Sequence, residues 1–220
     1  MRFRNREEAG VHLGYALSAH RSHDAVVLAL PRGGVVVGYH VARALDAPLE
    51  ILVCQKVRVP GHHDTAVGAV AEGGTSYVDV GRAQAMAIPP EELRHAVRAA
   101  RVEVERRVLR YRGGRPVPHL LGRTVFLVDD GIATGATVRV AVDAIRDQMP
   151  RAVIVAVPVA ARSVAEGLRL RADAVVCLET PTVLHGAGEW YEEFAPLGDA
   201  EVVEWLGRAQ HRPAESGAHA

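Results

Sequence analysis

The sequence predicts an α/β protein, a doubly wound, mostly parallel sheet flanked by helices. Three observations predict it. Five short runs are apolar at nearly every position instead of alternating, the mark of strands buried on both faces. Segments with helical spacing lie between them. Gly, Asp and Thr gather where these strands end, and in such folds ligands bind beyond the carboxyl ends of the strands.

The elements follow in order. Asn5 with Glu8 forms a capping box, and GVHLGYALSAH continues as a helix. AVVLAL (25–30) is the first strand and ends in PRGG (31–34). VVVGYHVARAL is the helix after it. LEILVCQK (49–56) reads as one strand, VRVPGHHDT (57–65) as a loop, and GAVAEGG with TSYVDV (68–80) as a hairpin. EELRHAVRAARVEVERRVLRYR (91–112) is the longest helical pattern, charged on one side, and GGRPVP breaks it. RTVFLVD (123–129), AVIVAVPV (152–159) and DAVVCLE (173–179) are three more strands. The helices between them cover about 134–148 and 164–170. EWYEEF (189–194) is an aromatic loop, and DAEVVEWLGRA (199–209) a last helix. Residues 1–208 read as a single domain with no internal repeat, and 209–220 as a disordered tail.

Composition narrows the function. The chain has 220 residues, 49% hydrophobic and 24% charged, which is enough to build an ordinary core. Lys plus Arg equals Asp plus Glu at 26 each, so no global basic field invites nucleic acid or an anionic membrane. No apolar run approaches the roughly 18 residues of a membrane span, and MRFRNREEAG has no apolar signal core. Cys54 and Cys177 lie in apolar runs and read as free buried thiols, not as a zinc site. These features predict a cytoplasmic, reducing location. Lys56 is the only lysine among the 26 basic residues, so a compact ammonium stands where every other cation is a guanidinium.

Three loops at strand ends carry unusual chemistry. In VFLVDDGIATGAT, the small residues Ala133, Thr134, Gly135, Ala136 and Thr137 lead into a helix. Backbone N–H groups at a helix N-terminus suit an anion, and two hydroxyls add donors, so this is a monophosphate cradle. It is not a Walker A loop, because no Lys follows the glycine. Asp129 and Asp130 would repel a phosphate, so they need another partner: the vicinal hydroxyls of a ribose, or Mg²⁺. Aspartates here can also simply cap a loop and helix. Arg32, Gly33 and Gly34 offer a cation and free N–H groups to a second anion such as a diphosphate, and Lys56 adds charge on the same edge.

VFLVDDGIATGAT resembles the phosphoribosyl-diphosphate binding motif of type I phosphoribosyltransferases, and LPRGG their pyrophosphate loop. With QKVRVPG, AVGAVAEGG and GEWYEEF, nearly the whole chain is similar to a bacterial group of predicted phosphoribosyltransferases of unsettled substrate. The resemblance implies the type I fold with a small hood and a flexible lid near 57–72. It implies that Asp129 and Asp130 hold the ribose hydroxyls, directly or through Mg²⁺. Ala133 to Thr137 would bind the 5′-phosphate, and Arg32, Gly33, Gly34 and Lys56 the pyrophosphate. It suggests a cis peptide in the pyrophosphate loop, at Arg32–Gly33. Trp190 and Tyr191 are candidates to stack on an acceptor ring, and His62, His63 and Asp64 lie at the lid tip. A homodimer is expected, with the 91–112 helix as a candidate contact.

Departures from the family pattern bear on the substrate. Ala133 stands where enzymes for 6-oxopurines usually carry an Asp, and AVPVAARS lacks their purine-contacting Lys, so 6-oxopurines are disfavoured. Gly131 replaces a common branched residue and suggests a more mobile loop. The leading expectation is Mg²⁺-dependent transfer of a 5-phosphoribosyl group from phosphoribosyl diphosphate to a small nitrogen acceptor, without nucleic-acid or membrane partners. The alternative is a non-catalytic sensor of phosphoribosyl diphosphate or a nucleotide. A dinucleotide-binding Rossmann domain fails, because no GxGxxG follows the first strand.

Overall fold

The computed structural model describes residues 2–61, 65–115 and 117–210. Five parallel strands make the main sheet in the order β2-β1-β6-β7-β8. They are β1 (Ala25–Ala29), β2 (Leu49–Ile51), β6 (Thr124–Val128), β7 (Ala152–Val159) and β8 (Ala174–Glu179). β1 and β6 lie side by side, with Leu28 opposite Leu127 and Ala29 opposite Val128. From β1 the chain steps outward to β2, then crosses back past β1 to β6, so the order reverses between these two strands. That reversal is where an open α/β sheet leaves a crevice.

The all-apolar strands work as their pattern demands. Alternate residues face opposite sides. Val27, Ala29, Phe126, Val128 and Ile154 pack with helices α1 (Arg6–Ala16), α2 (Gly34–Leu45) and α7 (Asp199–Gln210). Val26, Leu28, Val125, Leu127 and Val153 pack with α5 (Ala136–Arg146) and α6 (Arg162–Leu168). Each fully buried Val, Leu or Phe contributes roughly 1.5–3 kcal/mol, so the strand register is strongly held. The Asn5 half of the capping box forms as read, its Oδ1 accepting the Glu8 N–H at 3.0 Å, while the Glu8 carboxylate accepts the Arg4 N–H instead of that of Asn5.

The segment LEILVCQK is not one strand. The Leu52 N–H still donates to Ala29 O, but beyond it the chain leaves the main sheet. Cys54–Arg58 is β3 of a second, antiparallel sheet with β4 (Ala66–Ala71) and β5 (Ser76–Val78), in the order β3-β4-β5. Half of the expected lid, residues 57–58 and 66–71, is therefore paired strand. The expected lid tip, His62 to Asp64, lies outside the described residues. A short helix α3 (Val80–Ala85), capped by Asp79, follows the hairpin and was not expected. The long helix α4 (Pro90–Arg112) packs along β3 and β4. Arg112 is buried there in an ion pair with Glu72. Among the described residues no helix is long and apolar enough to cross a membrane.

Candidate active site

The Leu30 N–H donates to Val128 O at 2.8 Å, so the loops after β1 and β6 leave the sheet together. Their contact explains the glycines of PRGG. A Cβ on Gly33 would stand 1.8 Å from Asp130 Oδ2, and one on Gly34 would stand 2.9 Å from both Val128 O and Asp129 Cα. Only glycine lets the two loops approach so closely. Gly33 and Gly34 enter α2 directly. The cis peptide lies at Pro31–Arg32, one bond before the expected position, and the glycines serve the contact with the acids instead.

These loops border a cleft of about 440 Å³. Asp129, Asp130 and the stretch Gly131 to Gly135 with Thr137 line it, together with Lys56 and Pro31. Lys56 reaches it from the middle of β3 and not from a strand end. α5 begins at Ala136, so the first-turn N–H groups that have no carbonyl partner within the helix face this loop. The Ile132 N–H donates to Val159 O, and the Ala161 N–H to Ile132 O, which pins the loop to β7.

Arg32 does not reach into the cleft. It is exposed, and its Nη1 lies 3.9 Å from Asp199 Oδ1 at the start of α7. Arg107 of α4 does line the cleft, held by Glu103 at 2.7 Å, and Arg58 of β3 joins it. Sequence reasoning missed both, because one arginine among 25 carries no signal.

The acidic pair is asymmetric. Arg6 Nε donates to Asp130 Oδ2 at 2.7 Å, with both side chains largely buried. The same guanidinium lies 3.7 Å from the Phe194 ring centroid and donates through Nη1 to Ala195 O. Among the described residues, Asp129 has no such cation at hydrogen-bond distance. Its carboxyl accepts the Asp130 N–H at 2.9 Å. Burial and the neighbouring Asp130 charge push its pKa well above the ordinary carboxylate value, against the pull of that hydrogen bond and of Lys56. Burial likewise raises the Cys54 thiol, so Cys54 is a wall and not a nucleophile.

The hood closes the other side. Phe3 pairs with the 190–192 segment, its N–H donating to Trp190 O and its carbonyl accepting from Glu192 N–H. Tyr191 is 1% exposed, with its ring between Phe3 and Phe194. Its hydroxyl donates to the Asp130 carbonyl at 2.6 Å. Tyr191 is thus spent on holding the acidic loop and cannot stack on an acceptor. Trp190 is half-buried and packs against the cluster of Phe3, Ala9 and Tyr191 and that of Val159, Ala161 and Leu184, and the hood wall of the cleft is His185, Gly186 and Ala187. The lack of a side chain at Gly131 serves contact, not mobility: a Cβ there would meet the Ala187 Cβ at 2.6 Å.

The residues fit a divalent cation of the hard, oxygen-seeking kind. Among the described residues no group of three or more His, Cys, Asp or Glu could hold a metal ion, so there is no protein cage. Mg²⁺ instead takes one or two carboxylates plus ligand phosphates and water. Asp129, ionised at the cost of burial beside a second acid, would gain from such a charge.

Comparison with known proteins agrees with this geometry. The family model described as "Phosphoribosyl transferase domain" matches residues 5–196. A Mycobacterium tuberculosis protein provisionally named a phosphoribosyl transferase is 38% identical over 216 residues, covering 98% of this chain and 49% of the relative. The chain therefore spans about half the length of the curated relatives it matches. The crystal structure of TT1426 from Thermus thermophilus has 39% identity and a TM-score of 0.78, covering 94% of this chain and 98% of that one. AQ2163 from Aquifex aeolicus shares the fold alone, at 14% identity and a TM-score of 0.53 over 83% of this chain and 76% of that one. From its strand order, from the loops that meet at its switch point and from these matches, the chain belongs to the phosphoribosyl transferase domain family.

Proposed function

We propose that the protein transfers a 5-phosphoribosyl group from phosphoribosyl diphosphate to a small nitrogen nucleophile, releasing pyrophosphate, with Mg²⁺ bound. The observation that carries this reading is the meeting of three groups at one switch point: the PRGG backbone, the Asp129–Asp130 pair and the TGAT helix start. The first-turn N–H groups of α5 and the Thr134 and Thr137 hydroxyls bind the 5′-phosphate. Asp129 and the free oxygen of Asp130 accept from the ribose hydroxyls or hold the metal. Mg²⁺, when bound, neutralises charge on the departing diphosphate. Lys56 and Arg107 face that diphosphate, beside the N–H groups of Arg32 and Gly33, since the Gly34 N–H is already donated to Leu30 O at 3.1 Å, and Arg32 joins them by turning from Asp199. Leaving-group charge grows as the C1–oxygen bond breaks, so cations fixed around it lower the barrier. The ribose C1, turning oxocarbenium-like, then meets the acceptor nitrogen on the side of His185 to Ala187.

The test is pyrophosphate release from phosphoribosyl diphosphate and Mg²⁺, across purine, pyrimidine and pyridine bases and simple amines. Release that depends on one acceptor, and that is lost in Asp129→Asn, supports the reading and names the substrate class. Donor binding without release with any acceptor turns the reading towards a sensor of the same ligand.

A further inference from the structure

A second cavity, of about 470 Å³, opens beside the same phosphate loop. It touches Thr134 and Ala136 but neither Asp129 nor Asp130. Four cations surround it: Lys56 and Arg58 of β3, Arg82 of α3 and Arg139 of the first turn of α5. Lys56 and Arg58 both line it from β3, whose pairing with β4 shifts register between Val57 and Arg58. Among the described residues the only carboxylate in its wall is Asp79, and that is committed to capping α3 through the Arg82 N–H at 2.9 Å. Among the described residues none of the four cations forms an ion pair with a carboxylate. The chain as a whole carries equal numbers of acids and bases, so this is a local excess and not a general basic surface. Like charges gathered round one concavity repel each other and focus a positive potential into it. Tyr77 gives the wall a half-buried ring.

We propose that this cavity is a second binding site, distinct from the donor and acceptor positions, for a compound carrying two or more phosphate groups. A single phosphate would engage one or two of the cations, and more than one phosphate group is needed to engage all four. Thr134, Lys56 and Arg58 belong to both cavities, so an occupant here shares their charge with the donor. Each ligand therefore weakens the other by the same factor.

The test is calorimetry with inorganic tripolyphosphate at about 0.15 M ionic strength, where weak surface attraction is screened. Wild type is measured alone and at saturating phosphoribosyl diphosphate with Mg²⁺, beside the double variant Arg82→Gln/Arg139→Gln. The expected result is a tripolyphosphate site that survives saturating donor, weakened a few-fold. In the double variant it weakens by roughly tenfold or more, as lost charged hydrogen bonds imply, while Tm and donor affinity stay at the wild-type value. Complete displacement by the donor, equal binding in the double variant, or no binding at all would overturn the proposal. Tripolyphosphate binding that the double variant loses, in a protein that shows no donor affinity, would support this site and overturn the transfer reading instead.

Discussion

Gly33→Ala isolates the contact between the two loops. Gly33 has φ −60° and ψ −37°, a right-handed helical conformation that alanine adopts freely. The substitution alone would even stabilise by about 0.4–1 kcal/mol, through the unfolded chain. The whole perturbation is the new methyl, 1.8 Å from Asp130 Oδ2 and 2.6 Å from its Cγ. Ordinary contact begins at 3.4 Å, so the carboxylate oxygen must retreat by 3.4 − 1.8 = 1.6 Å. It cannot do so and keep Arg6, whose Nε sits 2.7 Å from that oxygen and 3.0 Å from the same methyl. Losing a charged hydrogen bond costs about 1.5–3 kcal/mol. After the alanine gain, the net destabilisation is about 0.5–2.5 kcal/mol, a fall in Tm of a few degrees for a domain of this size. Donor affinity, read by calorimetry with Mg²⁺, should drop by about 10- to 100-fold as the acid leaves the ribose. Gly207→Ala in α7, whose methyl meets nothing within 4 Å, is the control and should bind like wild type. A Gly33→Ala protein with wild-type Tm and donor affinity would refute both the loop contact and the role of Asp130.

Three further outcomes follow from the same geometry. Arg6→Lys should weaken donor binding nearly as much as Arg6→Met, because an ammonium cannot serve Asp130, the Ala195 carbonyl and the Phe194 face together; rescue by lysine would reduce Arg6 to a simple charge. Asp129→Asn should abolish donor binding yet raise the Tm of the ligand-free protein. Because the folded-state pKa of Asp129 lies above 3.8, the folded protein holds that proton more tightly than the unfolded chain, and this stabilisation fades as pH rises through the raised value. The gain in Tm should therefore be larger at pH 7 than at pH 4, and an equal gain at both would exclude the carboxylate as its source. Arg112→Met should cost about 3–5 kcal/mol in denaturant unfolding, because it leaves Glu72 without its buried partner, whereas Arg94→Met at an exposed pair with Glu91 should cost less than about 1 kcal/mol.

The main sheet was legible because its physics is local. A strand covered on both faces must be apolar at each position, so AVIVAVPV marks Ala152–Val159 to the residue. LEILVCQK misled for the same reason. It is apolar enough to be one strand, and only the tertiary contacts after Leu52 carry Cys54–Arg58 into the second sheet. The acidic pair and the TGAT loop could be read because their chemistry is contiguous in the chain. Arg6 could not: its partner is 124 residues away, and beside the capping box it reads as a surface charge. Tyr191 was read as a ring for a ligand because aromaticity shows in a sequence. The hydroxyl that reaches Asp130 O does not.

These long-range contacts divide the labour of the two aspartates. Asp130 is held at its carboxylate by Arg6 and at its carbonyl by Tyr191. Arg6 in turn lies against Phe194, and Tyr191 between Phe3 and Phe194. The hood and the amino-terminal segment are therefore built onto the acidic loop, and a change in hood packing is felt at Asp130 before it is felt at the phosphate cradle. Asp129 has the opposite character, a carboxylate made costly to ionise by burial and by its neighbour. Stability alone would favour an uncharged residue there. An acid that destabilises the empty protein is understandable if a bound cation, or hydroxyls brought with one, returns that energy as affinity for the ligand. Asp130 sets the geometry, and Asp129 supplies the unmet charge.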